Sequence, residues 1–358
     1  MKNKDCFYVV GVMSGTSLDG LDLALIKFNL ANKKWKYRFI SSFTIEYSDS
    51  WKLKLSNARF KNPKDLYNLD LDYTNFLAEQ IKIFINRNFE YQIDLISSHG
   101  HTVFHQPQKG ITYQIGNHKM LSDLLDYTVV CDFRVQDVEL GGQGAPLVPG
   151  GDFHLFSDYK ACVNLGGFAN ISLLDNYSPI AFDISAANLI LNNYAQKLNL
   201  PFDAEGKIAS TGKIIIPLLD ELNSLEYYFQ KPPKSLGIEW LSEKVNPILS
   251  SFSEESIPNL MHTWVHHLAN QILWVLPNSG KVLFTGGGTH NSFLIGLIKQ
   301  KSTAQICLPS NTLINFKEAL VFGFLGLLKF LGEDNCFSTV TGSSHDHSTG
   351  VIFKNIKL

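Results

Sequence analysis

The chain has 358 residues, 45% of them hydrophobic and 18% charged, with a formal net charge of −2. That length suggests two domains, and the composition is that of an ordinary globular protein. So small a net charge excludes a general attraction to nucleic acid or to an anionic membrane, and any anion site must be local. The cysteines, Cys6, Cys131, Cys162, Cys307 and Cys336, show neither CxxC nor zinc spacing and read as free thiols of a reducing compartment. No apolar run reaches the ~18 residues of a membrane span. Nothing at the start resembles a signal peptide. The expectation is a cytoplasmic protein without a membrane or nucleic-acid partner.

In chain order, Phe7–Met13 is a buried-strand pattern and Leu21–Asn29 alternates like a second strand, so Ser14–Gly20 is the turn of a hairpin. Trp35–Tyr47 reads as a third strand. Helical spacing over Asp65–Asn88 puts Leu66, Leu69, Tyr73, Phe76, Leu77, Ile81 and Phe84 on one face. Asp94–Ser98 reads as a strand that ends in a glycine turn, Asn117–Leu125 as a helix and Thr128–Cys131 as a strand. A glycine- and proline-rich loop, Gly141–Gly151, interrupts the chain. The pattern then restarts, with strands at Lys160–Leu165, Asn170–Leu174 and Ile180–Ile184 and a turn at Gly166–Gly167. Helices follow at 188–199 and 257–276, then a strand at Lys281–Thr285 and helices at Asn291–Lys301 and Lys317–Leu331. Both halves start as strand, glycine turn, strand. This predicts a mixed α/β protein of two related domains with a ligand cleft between them and a boundary near residue 132.

Ser14–Gly20 combines glycines, which permit unusual dihedrals, with the hydroxyls of Ser14, Thr16 and Ser17. Successive backbone N–H groups in such a turn form an anion site, and Asp19 and Asp22 could hold a metal through water or orient a nucleophile. The alternative is a tight hairpin whose hydroxyls satisfy its own backbone. It is neither a Walker A motif nor GxGxxG. His99, His101 and His105 invite a metal reading, against which each packs or hydrogen-bonds individually. Thr102 and the neighbouring glycine look like cleft lining. In Asp132–Asp152, Arg134 can clamp a carboxylate or phosphate, with Asp137 and Gln143 nearby; the alternative is a salt-bridged hinge. Asp183, at a strand end, is a candidate general base or a helix cap. His262, His266 and His267 read as packing residues, and His345 and His347 as weak metal signals.

Together these stretches resemble the anhydro-N-acetylmuramic acid kinase family. The matching pieces are GVMSGTSLDGLDLAL, HGHTVFHQP, DFRVQDVELGGQGAPLVP, NLGGFANIS, FDISAANLILN, PPKSLG, FTGGGTHN and KEALVFGFLG, in family order from Gly11 to about Gly326. The resemblance implies an α/β fold of two actin-like (ribonuclease H-like) domains with an interdomain cleft. The domains would be 1–132 and 133–358, with the C-terminal segment able to pack back onto the first. It implies ATP and Mg²⁺ as cofactors, a sugar substrate and, as in other family members, a homodimer. The reaction would open the 1,6-anhydro ring with water at C1 and phosphorylate O6. Gly15, Thr16, Ser17, Leu18, Asp19, Gly20, Leu21 and Asp22 match the ATP-phosphate hairpin, with Asp19 holding Mg²⁺ through water. Gly166 and Gly167 match a second phosphate contact, and Gly286, Gly287 and Gly288 the adenosine side. Asp183 matches the water-activating base. Arg134, Glu318, Asn188, Gln143 and Thr102 match the sugar site.

Two departures stand out. The family commonly reads Asp-Thr-Gly-Pro-Gly-Asn where this chain has Asp183-Ile184-Ser185-Ala186-Ala187-Asn188, and Asn315 stands where an aspartate is usual. They leave open a kinase for another sugar, and a non-catalytic sugar sensor as a reading of a different class.

Overall fold

The computed structural model describes residues 4–174 and 178–354. The chain divides into two compact units, Met1–Leu155 with Phe316–Leu358, and Phe156–Asn315. The breaks therefore fall at 155/156 and 315/316, not at 132. The physical reason lies in the stretch after residue 132. Its helix Val148–Leu155 packs on the sheet of the first unit. There a side chain at Gly150 would strike the Asn335 carbonyl at 2.5 Å, so the segment is seated too closely to belong elsewhere.

The first sheet is built from β1 (Cys6–Ser14), β2 (Gly20–Ala31), β3 (Lys34–Glu46), β4 (Leu95–Gln106), β5 (Ile111–Ile115), β6 (Val129–Cys131) and β12 (Val351–Phe353). Its order is β12-β6-β4-β1-β2-β3, with β5 beside β4. The hairpin pairs β1–β2 and β2–β3 are antiparallel, whereas β1–β4 and β4–β6 are parallel. The second sheet comprises β7 (Ala161–Leu165), β8 (Phe168–Leu174), β9 (Pro179–Ala186), β10 (Lys281–Thr285) and β11 (Gln305–Cys307), in the order β11-β10-β7-β8-β9. It too has antiparallel β7–β8 and β8–β9 and parallel β7–β10 and β10–β11. Strand for strand, β1-β2-β3-β4-β6 and β7-β8-β9-β10-β11 follow one plan, the ribonuclease H-like plan expected of an actin-like protein.

The long helix Pro63–Arg87 shows why the local sequence folds as it does. The Asn62 side chain accepts from the Asp65 N–H at 2.9 Å and Pro63 opens the first turn. Its buried stripe of Leu66, Leu69, Tyr73, Leu77, Ile81 and Phe84 joins the apolar side of β1, β2 and β4. Burying each such side chain contributes about 1.5–3 kcal/mol. The second unit has its own core, in which Trp264 on the helix Ile257–Val275 packs with β7–β10 residues such as Val163, Ile171 and Phe284.

The glycine after Ser98 is not a turn. The strand runs on to Gln106, and between Val12/Ser98 and Ser14/His101 β4 carries one residue more than β1. Gly100, at φ 74°, is the residue that makes this bulge possible. The helix read as starting at Lys317 starts at Asn311, with a non-helical step at Phe316 (φ −114°, ψ 17°). Within the first unit, β1 and this helix touch backbone to backbone. A Cβ on Gly11 would sit 2.0 Å from the Ala319 carbonyl oxygen.

Candidate active site

In the first unit the β1–β2 turn divides its residues between core and surface. Ser14 is buried, and its Oγ lies 2.7 Å from Tyr47 Oη and 2.9 Å from His101 Nδ1; Tyr47 Oη is 2.7 Å from Tyr73 Oη. Its hydroxyl therefore belongs to an internal chain. Thr16, Ser17 and Asp19 are exposed, and the Leu18 N–H closes the turn on the Gly15 carbonyl at 3.4 Å with Leu18 at φ 61°. Leu21 is fully buried, so only its backbone faces the turn. Asp22 is half-buried, and Thr44 Oγ1 donates to its Oδ1 at 2.6 Å. Burial pushes its pKa up, the Thr44 bond pulls it down, and the charge of Asp19 pushes it up again. The two carboxylates thus repel one another weakly.

The three histidines of β4 each have a partner of their own. His101 meets Ser14, His105 Nδ1 lies 3.2 Å from Thr112 Oγ1, and His99 Nδ1 faces the Gly100 carbonyl at 3.0 Å. Arg134 Nε donates to His99 Nε2 at 2.9 Å, so His99 is neutral with its proton on Nδ1. Burial, then the Arg134 charge, holds its pKa well below the usual value. Arg134 also donates through Nη1 to the Gly144 carbonyl at 2.6 Å. Burial lowers its pKa to about 10, while Glu318 and Asp137 work against that, so it stays cationic at neutral pH.

Glu318 is solvent-accessible on the helix Asn311–Leu331. The protein around it raises its pKa most, Arg134 opposes that, Asp22 adds to it, and Lys317 opposes it. Asp22, Arg134 and Glu318 therefore form one electrostatic neighbourhood. Next to it sits an ion pair that the sequence did not announce, Lys317 Nζ to Asp152 Oδ1 at 2.9 Å, with both side chains almost wholly buried. Gln143 is exposed and its N–H donates to the Thr341 carbonyl at 2.8 Å; Thr102 is half-buried opposite Gln114.

In the second unit Asp183 lies within β9, opposite Asn170. It does not cap the following helix, whose N-cap is Ala187. Its Oδ2 accepts from the Leu236 N–H at 2.8 Å, and its own carbonyl accepts from Tyr227 Oη at 2.6 Å. The segment Pro232–Gly237 thus fixes one carboxylate oxygen, and Oδ1 has no protein hydrogen bond among the described residues. Burial raises the pKa and the Leu236 bond partly offsets it. A half-buried carboxylate, oriented through one oxygen and open at the other, can take a proton from water.

Ser185, one of the departures, is fully buried and its hydroxyl lies 3.0 Å from Tyr228 Oη. Tyr228 Oη continues to His267 Nε2 at 2.8 Å, and His267 Nδ1 to Asn223 Oδ1 at 2.7 Å. His267 therefore serves packing, and burial lowers its pKa to about 3. His262 Nδ1 lies 2.8 Å from the Ala209 carbonyl.

The turn Gly166–Gly167 presents carbonyls to the helix Asn188–Lys197: Gly167 O accepts from Ala187 at 2.8 Å and Leu189 at 3.3 Å, and Gly166 O from Asn188 at 3.2 Å. Gly286 has φ 84°, and a Cβ there would lie 2.8 Å from Leu165 backbone atoms. Beyond it a cavity of about 390 Å³ is lined by Gly287, Gly288, Asn188, Leu191, Asp203 and His290, among others. Asn188 therefore shares a pocket with the glycines expected beside adenosine, and its Nδ2 donates to Leu165 O at 3.2 Å. Sequence reasoning missed Phe202, Asp203, Glu205 and His290 of this lining. Asp203 accepts from the Ile208 and Ala209 N–H groups at 2.8 and 3.0 Å, in the first turn of the helix Lys207–Ser210, whose N-cap is Gly206.

Two units of one strand order, each opening on a glycine hairpin, define the actin-like class of α/β proteins. Within it the chain belongs to the anhydro-N-acetylmuramic acid kinase family, whose model matches residues 7–355. A relative named anhydro-N-acetylmuramic acid kinase from Bacillus cereus (strain 03BB102) is 32% identical over 329 residues, 84% of this chain and 85% of its own. The relative of the same name from Bacillus thuringiensis (strain Al Hakam) is also 32% identical, with the same shares covered. Among solved structures, the activator of 2-hydroxyisocaproyl-CoA dehydratase from Clostridium difficile with bound ADPNP aligns over 89% of this chain and 94% of its own. At 13% identity and a TM-score of 0.39 it carries no weight for the site. No helix among the described residues is long and apolar enough to cross a membrane.

Proposed function

We propose that the protein is an ATP-dependent kinase of anhydro-N-acetylmuramic acid, acting in peptidoglycan recycling. Water adds at C1, the C1–O6 bond breaks, and O6 takes the γ-phosphoryl group of ATP to give N-acetylmuramic acid 6-phosphate and ADP. The observation that carries this reading is the Asp183 carboxylate, held at Oδ2 by Leu236 N–H and open at Oδ1. Oδ1 takes the proton of the attacking water. Burial that raises the carboxyl's proton affinity makes it a stronger base. Oxocarbenium character at C1 makes a weak nucleophile sufficient once a base is placed, as in inverting glycoside hydrolysis.

The remaining residues position the reactants. The backbone of Gly15–Asp22, with the Thr16 and Ser17 hydroxyls, is assigned to the ATP phosphates. Gly166, Gly167 and Gly286–Gly288 are assigned to the nucleotide as well. Asn188 joins them, because it lines the same cavity as Gly287 and Gly288. Mg²⁺ supplies charge neutralisation in phosphoryl transfer, and Asp19, exposed and within electrostatic reach of Asp22, fits it through water. Arg134, pre-oriented by His99 and Gly144, is assigned to the lactyl carboxylate. Glu318, Gln143 and Thr102 are assigned to the sugar. Ser185 spends its hydroxyl on Tyr228, which supports an unchanged pocket despite that departure.

The test is product identification after incubation with Mg-ATP and anhydro-N-acetylmuramic acid. ADP and N-acetylmuramic acid 6-phosphate should appear in equal amounts. Turnover of other amino sugars with none of the anhydro sugar would overturn the substrate. Binding of the sugar with no ADP formed would favour a sensor.

A further inference from the structure

Apart from these residues, the first unit contains a buried cluster that the reaction does not use. Cys336 and His347 form an isolated antiparallel bridge, each N–H donating to the other's carbonyl at 3.1 Å. Directly opposed residues of such a pair project to one side. Asp137, from the helix Val135–Glu139, completes the group. Its Oδ1 accepts from Cys336 Sγ at 3.2 Å and from Thr341 Oγ1 at 2.7 Å, and lies 3.6 Å from His347 Nε2. Relative exposures are 0% for Asp137, 2% for Cys336 and 4% for His347.

A hydrogen-bonded cluster does not account for His347. Its Nδ1 faces the His345 carbonyl at 3.1 Å, and a carbonyl only accepts, so the proton is on Nδ1. In the neutral ring Nε2 then carries a lone pair. That atom is buried without a hydrogen-bond partner and points at a carboxylate oxygen, so two lone pairs oppose each other. A buried polar atom left in this way calls for an explanation, of which an ion is one.

We propose that Asp137, Cys336 and His347 bind one divalent transition-metal ion of the zinc class. The ligand atoms all lie within 4.8 Å of one another. Zinc bonds of about 2.0–2.3 Å in a tetrahedron require ligand–ligand edges of roughly 3.3–3.6 Å. The S–O and N–O separations here are 3.2 and 3.6 Å. One sulfur, one imidazole and one carboxylate suit zinc or cobalt rather than magnesium or calcium. On binding, the Cys336 S–H proton leaves to solvent and Sγ bonds the metal. Thiolate, carboxylate and a +2 ion then sum to zero, which suits a buried place. The Thr341 hydroxyl, 2.7 Å from Asp137 Oδ1 and 3.9 Å from Cys336 Sγ, is a further oxygen beside the three ligands, and the Nδ1–H to His345 carbonyl bond is the outer support that orients a metal-bound histidine. Three protein ligands leave a fourth position, and the burial of all three residues keeps bulk substrate from reaching it. The ion would fasten the Gly142–Gly144 turn, since Gly144 N–H donates to Asp137 Oδ2 at 2.6 Å and Gly144 O accepts from Arg134.

The test is a Co²⁺ titration of the full chain after chelator treatment, under a non-thiol reductant, followed by Zn²⁺. One cobalt per chain should bind with a near-ultraviolet thiolate band and the visible bands of tetrahedral cobalt, and one zinc should displace it. Cys336→Ser should abolish the thiolate band, whereas Cys307→Ser should not. His347→Gln, checked for fold by circular dichroism, should weaken binding by at least the about 10–100-fold that outer-shell partners command. Folded wild-type protein that takes up no cobalt, or takes it up without the thiolate band, overturns the proposal. So does a band that survives in Cys336→Ser.

Discussion

The two units share a strand plan but use their first hairpin in opposite ways. The β1–β2 turn of the first unit is long and pushes Thr16, Ser17 and Asp19 into solvent while drawing Ser14 and Leu21 into the core. The β7–β8 turn of the second is short, and its carbonyls are occupied by the amides of Ala187, Asn188 and Leu189. The first turn exposes two hydroxyls and a carboxylate, whereas the carbonyls of the second close the N-terminus of the helix Asn188–Lys197. A shared topology therefore fixes where a turn lies, and the residues within it decide what it can bind.

The sharpest break between the units should come at Asp183. Asp183→Asn keeps the size and the acceptor for Leu236 N–H but removes the base, so turnover should fall about 10²–10⁴-fold with the melting temperature little changed. Near-normal turnover would remove the second unit's claim to the chemistry. Within the first hairpin, two glycines separate fold from binding. A Cβ at Gly20 would meet the Ile45 carbonyl at 2.5 Å, so Gly20→Ala should cost about 1–3 kcal/mol in urea unfolding. At Gly15 the nearest atom would be Ser17 Oγ at 3.4 Å. Gly15→Ala should therefore unfold like the parent, within about 0.5 kcal/mol, while KM for ATP rises. Equal stabilities in the two variants would count against the close approach of β2 and β3.

Histidine protonation gives a further contrast. His267 titrates at about 3 in the folded chain. Unfolded, it titrates near 6.5. Between those values only the unfolded chain holds the proton, so stability falls as pH drops through the window. From pH 7 to 5 this one group should account for about 2 kcal/mol. Denaturant curves of parent and His267→Gln at both values should show the parent losing more by that amount. A modest loss is expected of Ser185→Ala, which removes one bond to Tyr228 and should cost about 0.5–1.5 kcal/mol. A gain in stability would mean that the hydroxyl is poorly seated.

Much of this was legible in the sequence where signals were local. The two hairpins, the helix Pro63–Arg87 with its apolar stripe and the turn at Gly286 follow from alternation, capping and glycine. Other features depend on contacts between distant parts of the chain. Gly100 looks like a turn residue because φ > 0 serves bulge and turn alike, and only pairing with β1 decides which. Val148–Leu155 looks like loop because Pro149, Gly150 and Gly151 are poor helix formers, yet their small size lets the segment seat against Val321 and Asn335. Asn188 was expected on the sugar, and no spacing shows that it shares a cavity with Gly287 and Gly288. The Asp137–Cys336–His347 group spans some two hundred positions of chain, far beyond any ligand-spacing pattern.

The contact at Gly11 carries a mechanical consequence. With only a hydrogen atom separating that strand from the carbonyl of Ala319, neither can slide without pushing the other. Glu318 is the very next residue, and Asp22 sits across the hairpin opposite Met13. The acidic groups at the two ends of this contact are in effect bolted to one frame, so any strain that reaches the turn is felt at Glu318 as well.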